Sequence, residues 1–349
     1  MTIKEFGKVD DSLIVVSAVV PCYNVETKII NLLESLLIQT YRNLQLIFVN
    51  DGSTDHTEEV ILRYVPQFVD LGMQVIYILQ ENQGPGGAAN TGLKKATGQY
   101  LIWPDADDWL SDNSIARKME VLEANPEYGV VTTNAYTYQH TDLSHPSGKM
   151  IPRVDETILN PNQFDALIHY KSTFCPGCHM IRMSMMRDVN PDMDIFPSRG
   201  GQNFQMLMPI YYKYPRIFVD ECLFHYVVYA DSHSRSNDTL EKSILKADEL
   251  LEIICQTLDR MQMPDDEREK YKAAAQIDDL CRRYPLGMRF CDRAYSLQID
   301  AKLEACGHIS DIPMWQRRIV RNNVLFGLYT ALDKAQKCVK RMLKRMVKV

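Results

Sequence analysis

Along the first hundred positions, apolar residues come in short runs, and each run is followed by a stretch in which they recur every three or four residues. Residues 17–23 (SAVVPCY) read as a strand, and from Asn24 the spacing turns helical, with Ile29, Ile30, Leu33, Leu36 and Leu37 on one face. Residues 44–50 (LQLIFVN) read as a buried strand, after which Ser53, Thr54 and Asp55 offer capping side chains to a helix ending at about Tyr64. A strand at 73–79, a Gly-rich turn, a helix through about Ala96 and a strand at 99–104 (QYLIWP) repeat the alternation. Strands alternating with single helices predict an α/β fold, a Rossmann-like and mostly parallel sheet with flanking helices and right-handed crossovers. Ligands of such sheets gather outside the carboxyl ends of the strands, where Tyr23, Asn24, Asp51, Asp105, Asp107 and Asp108 fall.

Beyond about Asn237 the pattern becomes helical and charge-rich. With 349 residues, the chain divides by this reading into a catalytic domain over 1–236, a helical C-terminal region over 237–330 and a tail helix over 331–349. In the tail, Leu332, Ala335, Val339, Met342 and Met346 recur at helical spacing while Lys and Arg fill the other face. A basic amphipathic helix suits an anionic membrane surface, and it equally suits packing on the catalytic domain or on another subunit of a homo-oligomer.

Composition adds exclusions. With 46% hydrophobic and 24% charged residues the chain is ordinary for a globular protein, and a formal net charge of −6 argues against nucleic acid as its main partner. No apolar run of membrane-spanning length occurs, and nine cysteines follow no framework. The amino end lacks a signal pattern, so the expectation is a reduced, cytoplasmic protein, peripheral on the inner face of the cell membrane if the tail binds lipid. Cys175-Pro176-Gly177-Cys178 has CxxC spacing, but no second pair at comparable spacing accompanies it, so a structural role is expected.

Asp105 and Asp107 stand two apart on an extended turn, so both carboxylates can face one side and share a hard cation with a diphosphate. An acidic turn can also merely cap the next helix, a role open to Asp108 and Asp112. Asp51, in VNDGSTD, can accept from the imide N–H of uracil, or it can close an Asx turn.

The order PCYN, VNDGSTD, NQGPGGAANTGLKKATGQY and DADDW resembles family 2 glycosyltransferases over about residues 15–235. The resemblance implies a GT-A fold, an inverting transfer from a nucleotide sugar, UDP-linked by preference, and Mn2+ or Mg2+ as cofactor. It implies Pro21, Tyr23 and Asp51 around the base, with Asn24 beside them, Asp105 near the ribose, Asp107 on the metal, and Ala106 between them in the donor site. Asn82, Gly84, Asn90 and Gly92 match the family's Gly-rich segment, whereas Ala89 replaces its usual arginine. HYVVYADSHSRS resembles the loop that closes over the donor, which would bring His233 to the metal and Arg235 to the diphosphate. A glycan or a lipid-linked molecule is the acceptor that the resemblance implies.

One departure concerns the base. Where the family has an acidic pair, Gly201 is followed here by Gln202 and Asn203, and an amide has no useful basicity near neutral pH. Asp192 and Asp194, just upstream, are the nearest carboxylates in sequence, and Asp194 is taken as the candidate base. Gln202, Asn203 and Gln205 then form an expected amide cradle for the acceptor. The same departure admits an inactive nucleotide-sugar-binding or partner-binding protein. A nicotinamide-dependent oxidoreductase fits less well, because the Gly-rich turn lacks G-x-G-x-x-G and follows the third strand.

Overall fold

The computed structural model describes residues 1–173, 175–229 and 239–346, the last ten of these as backbone only. The chain forms two compact units, one made of Met1–Ser232 with Ile253–Arg268, the other of His233–Glu252 with Glu269–Val349. In place of the single boundary expected near 237, the chain passes between the units three times, after residues 232, 252 and 268.

The first unit holds one sheet of ten strands: β1 (Thr2–Phe6), β2 (Val16–Cys22), β3 (Leu44–Asn50), β4 (Gln74–Leu79), β5 (Tyr100–Ile102), β6 (Trp109–Leu110), β7 (Val130–Gln139), β8 (Gly148–Lys149), β9 (His179–Arg182) and β10 (Arg216–Val228). Their order is β1-β4-β3-β2-β5-β9-β7-β10-β6, with β8 beside β7. Strands β4, β3, β2 and β5 are mutually parallel, as the alternation predicts. Antiparallel β9 separates them from the parallel pair β7 and β10, and antiparallel β1 and β6 close the two ends.

Both faces of the central strands are buried. Val16, Ala18, Val20, Leu46 and Phe48 join a core with residues of α1 (Ile30–Leu37) and α2 (Thr57–Asp70). The alternate residues Val19 and Val49 face α3 (Gly84–Leu93), where a Cβ on Gly92 would lie 2.4 Å from Val19 Cγ1. Glycine there lets the helix backbone lie directly on the strands. α2 runs through Pro66 to Asp70, past the expected end at Tyr64. Burial of Val65 and Phe68, about 2 kcal/mol each, offsets the roughly 3 kcal/mol that an interior proline costs. Five further helices follow in this part: α4 (Ser114–Ala124), α5 (Glu156–Leu159), α6 (Phe164–Ile168), α7 (Met183–Val189) and α8 (Gln202–Lys213).

The remaining helices are α9 (Leu240–Arg260), α10 (Asp265–Phe290), α11 (Arg293–Ala305), α12 (Met314–Arg321) and α13 (Asn323–Met346). In the second unit Tyr284, Met288, Ile299, Leu303, Val320 and Phe326 form a core of their own. Buried Asp300 accepts from Tyr284 Oη at 3.0 Å and Arg321 Nε at 2.8 Å, so the charge is satisfied on both oxygens. Among the described residues no helix is long and apolar enough to cross a membrane.

Candidate active site

Parallel neighbours β2, β3 and β5 release their carboxyl ends at the same edge of the sheet, and the loops after them are tied together by side chains. Asn24, in the left-handed region at φ 50°, accepts from Thr54 N through its Oδ1 at 2.8 Å, while its own N–H donates to Ser53 Oγ at 3.0 Å. Asp55 accepts from the backbone of Glu26 and Thr57. Tyr23, half exposed, stands free of this clasp, and Pro21 lies one residue inside the strand end.

Asp51 is almost fully buried and accepts three hydrogen bonds. Oδ1 takes Gln80 Nε2 at 2.7 Å and Gln83 N at 2.9 Å, and Oδ2 takes Gly84 N at 2.8 Å. The carboxylate thus satisfies donors at the start of α3 that have no partner within the helix. One lone pair of Oδ2 remains for a further donor. Gly84 has φ +81°, and a Cβ there would meet Arg199 Cα at 2.9 Å, so the 198–200 loop lies directly on the Gly-rich turn.

The acidic turn follows β5. Burial, then repulsion from Asp107, raises the Asp105 carboxyl to about 7. Burial likewise raises Asp107, against its own backbone N–H and the charge of Lys28. Lys28 lies over the Tyr229 ring, 4.2 Å from its centre. Asp108 is different: Oδ1 accepts Val227 N at 2.7 Å, Oδ2 is buried without a partner, and burial beside the other two carboxylates raises it well above the usual range. Its bond to Val227 N fastens the turn to β10. Neither Asp108 nor Asp112 caps α4, which begins after Asn113. Two hard oxygen donors that repel one another suit a divalent cation such as Mg2+ or Mn2+. Among the described residues no group of three or more His, Cys, Asp or Glu is arranged to hold a metal ion, so such a cation would share this pair with phosphate oxygens and water.

Trp103, two residues before the turn, donates its indole N–H to Asn203 Oδ1 at 2.8 Å and stacks on His179 with ring centres 5.9 Å apart. An indole can only donate, so the amide orientation is fixed and its NH2 faces away from Trp103.

A model of the family described as glycosyl transferase family 2 matches residues 17–189. The chain carries a glycosyl transferase family 2 domain. Glycosyltransferase GlyA of Streptococcus pneumoniae is 39% identical over 137 residues, which are 38% of this chain and 18% of that relative. An uncharacterized glycosyltransferase of Haemophilus influenzae is 32% identical over 154 residues, 43% of this chain and 58% of that one. The chain thus spans a minor part of the first of these relatives and a little over half of the second. Among solved structures, TarS of S. aureus in complex with UDP superposes with a TM-score of 0.55 at 17% identity, covering 87% of this chain and 89% of that one. The mannosyltransferase PcManGT of Pyrobaculum calidifontis, in complex with GDP-Man and Mn2+, gives 0.52 at 18%, covering 91% and 86%. The fold is of GT-A type.

At and around this edge the predicted residues divide. Asp51, Gly84, Asp105, Ala106 and Asp107 lie at the strand-end edge, and Asn203 joins them through Trp103. Asn82 is exposed, its backbone N lying 3.1 Å from the Cβ position of Gly52. Gln202 is half-buried at the first turn of α8. Other amides are used internally. Asn90 donates to Asp194 Oδ1 at 3.1 Å and accepts Ile195 N at 3.0 Å, while buried Gln205 grips both backbone groups of Phe196 and donates to Ser198 Oγ. Gln205 therefore leaves the expected acceptor cradle. Asp194 is corrected as well: Lys94 at 2.6 Å and Arg260 at 3.1 Å occupy its oxygens. Against the penalty of burial, the hydrogen bonds from Lys94 and Asn90 and the two cations hold it below the usual carboxylate range, so it is a poor base. Asp192 is exposed in the same loop. His233 and Arg235 lie outside the described residues.

Cys175 and Cys178 are buried free thiols in a short 3-10 turn. Beside them the fully buried Lys118 Nζ donates to Gly177 O at 2.6 Å, a structural setting. Sequence reasoning missed Trp103, Lys28 and Tyr229. A tryptophan immediately ahead of the acidic turn was the one available signal.

Proposed function

We propose that this chain transfers a sugar from a nucleoside diphosphate, UDP by preference, to a hydroxyl of a glycan or lipid-linked acceptor, with inversion at the anomeric carbon. The observation that carries the reading is the Asp105–Asp107 pair, half-buried at the edge where the strand-end loops meet, with the charge of Asp107 raising Asp105. UDP as carrier is supported by the bound UDP and UDP-GlcNAc of TarS, and a divalent cation by the Mn2+ of PcManGT. The sugar is a hexosyl or an N-acetylhexosaminyl group.

A bound Mg2+ or Mn2+ would supply Lewis-acid neutralisation of the departing diphosphate. Asp105 and Asp107 would hold it, and their own repulsion falls when they do. The remaining lone pair of Asp51 faces the imide N–H of the base, and the exposed Tyr23 ring offers it a stacking face. The Asn203 NH2, aimed by Trp103, donates to the acceptor oxygen and orients it, while the acid–base work falls to a group other than Asn203.

The replacement of a carboxylate pair by Gln202 and Asn203 favours a second reading, a protein that holds the nucleotide sugar without turning it over. Nucleoside diphosphate release from UDP-sugars and GDP-mannose, with Mn2+ or Mg2+, separates the two. Wild type releases product only with metal, and Asp107→Asn lowers kcat at least a hundredfold. Donor binding by calorimetry without release under any condition would establish the second reading.

A further inference from the structure

The second unit leaves an apolar surface uncovered. α13 is capped by Asn322, whose Oδ1 accepts from Val324 N and Leu325 N at 3.0 and 3.1 Å. It is seated on the unit's core through Phe326, which is buried, and Tyr329, which packs against the same cluster. Those two anchors fix the rotation of the helix. At about 100° per residue, Val324, Leu325, Leu328 and Leu332 then fall within one arc of about 100° that points elsewhere. They are 41–70% exposed. The nine residues Val324–Leu332 thus carry two apolar faces, of which only the one with Phe326 and Tyr329 is used. In sequence the unused stripe continues at the same spacing to Met346. On α12, Met314 and Trp315 are also more than half exposed.

Charge is segregated onto this end. Residues 313–349 contain ten Lys or Arg and one Asp, a formal +9, in a chain whose total is −6, which leaves −15 on the other 312 residues. A second copy of so acidic a body could meet the basic face, but it could cover the leucines only with its own stripe, which would bring two +9 segments together. An anionic bilayer offers both a negative surface and an apolar layer beneath it.

We propose that the outward stripe of α13, together with the basic residues that the sequence puts on the other face of the same helix, forms a landing surface for an anionic lipid bilayer, with the helix lying in the membrane plane. This inference is independent of the donor chemistry above. The full chain is centrifuged with vesicles of phosphatidylglycerol in phosphatidylcholine and with phosphatidylcholine alone. Wild type sediments with the anionic vesicles, and at least tenfold less with the neutral ones. Leu328→Glu with Leu332→Glu abolishes sedimentation, both side chains being exposed and dispensable for the fold. Lys334→Gln, Lys337→Gln and Lys340→Gln together weaken partitioning about a hundredfold, each charge near an anionic surface being worth about fivefold. Circular dichroism and UDP binding of the variants match wild type. Equal sedimentation with both vesicle types, sedimentation that survives the two Leu→Glu changes, or none at all would overturn the proposal. So would a concentration-dependent dimer, by light scattering, that the same Leu→Glu pair dissolves.

Discussion

Replacing Asp51 by Asn tests whether one carboxylate clasps the Gly-rich helix to the end of β3. Three donors converge on Asp51, two on Oδ1 and the Gly84 N–H on Oδ2. An asparagine can keep the first two through its carbonyl oxygen, but its NH2 then confronts Gly84 N–H, donor against donor. The variant loses one charge-assisted bond, about 1.5–3 kcal/mol, and leaves a buried N–H unsatisfied at about 1–3 kcal/mol. Since the two penalties overlap, a loss of about 3 kcal/mol is expected, against a typical total stability of about 5–15 kcal/mol. Urea unfolding followed by circular dichroism measures the loss. Amide hydrogen exchange localises it, because the Gly84 amide should lose most of its protection while amides of β7 keep theirs. UDP affinity should fall as well, since the turn that shapes the donor edge loosens. A midpoint shift equivalent to less than about 1 kcal/mol, with Gly84 exchange unchanged, would refute the clasp.

Two other substitutions probe buried groups. Lys118 is fully buried with one hydrogen bond, and burial lowers its ammonium to about 8, below its unfolded value of 10.5. The charged form therefore costs the fold about 3 kcal/mol at neutral pH. Lys118→Met should stabilise by about 1–2 kcal/mol after loss of the Gly177 bond. The sign fixes the pH course: wild type gains stability as pH rises from about 8 to 10.5, and the advantage of the variant shrinks over that window; an advantage constant with pH would exclude the linkage. Trp103→Phe removes the donor to Asn203 and frees its amide to rotate. The acceptor kcat/KM should fall about tenfold, or 1.4 kcal/mol, with donor KM unchanged, and equal loss on both substrates would place Trp103 in general packing instead.

The central strands were legible because their residues are apolar on both faces and their helices keep a strict spacing. The edges were not. β1 (TIKEF) sets two adjacent charged residues between apolar ones, is mostly exposed, and looks like an ordinary amino-terminal tail until β4 pairs with it. β7 buries Thr132, Thr133 and Asn134, polar residues made tolerable by partners far away in sequence: Asn134 Nδ2 reaches Ile151 O at 2.9 Å and Asp220 Oδ1 at 2.7 Å. Hydrophobic periodicity has no access to such compensation. The site shows the same division. The placement of Asp105 and Asp107 at the carboxyl-end edge of the sheet could be read from the alternation of strands and helices. Asn24, Asn90, Gln205 and Asp194 could not be sorted, because an amide or carboxylate that binds substrate and one that staples a loop are the same letter in a sequence. Only the partners decide, and here the partners are Thr54, Ile195, Phe196 and the pair Lys94 with Arg260.

That sorting also changes how the amides at the start of α8 are understood. Replacement of a carboxylate by Asn203 looks in sequence like the loss of a function. In the structure Asn203 is held by Trp103, whose indole N–H has no acceptor capacity and therefore dictates which end of the amide faces out. Thermal flipping would exchange a hydrogen bond for a donor–donor contact, so the outward NH2 is maintained rather than averaged. A carboxylate at 203 could accept the same bond from Trp103, but it would present only acceptors to an incoming hydroxyl. The amide presents only donors there. In the proposed transfer, then, residue 203 holds an oxygen in place rather than taking a proton, and Trp103 fixes the amide for that role, one hundred residues away in sequence and two residues from the acidic turn.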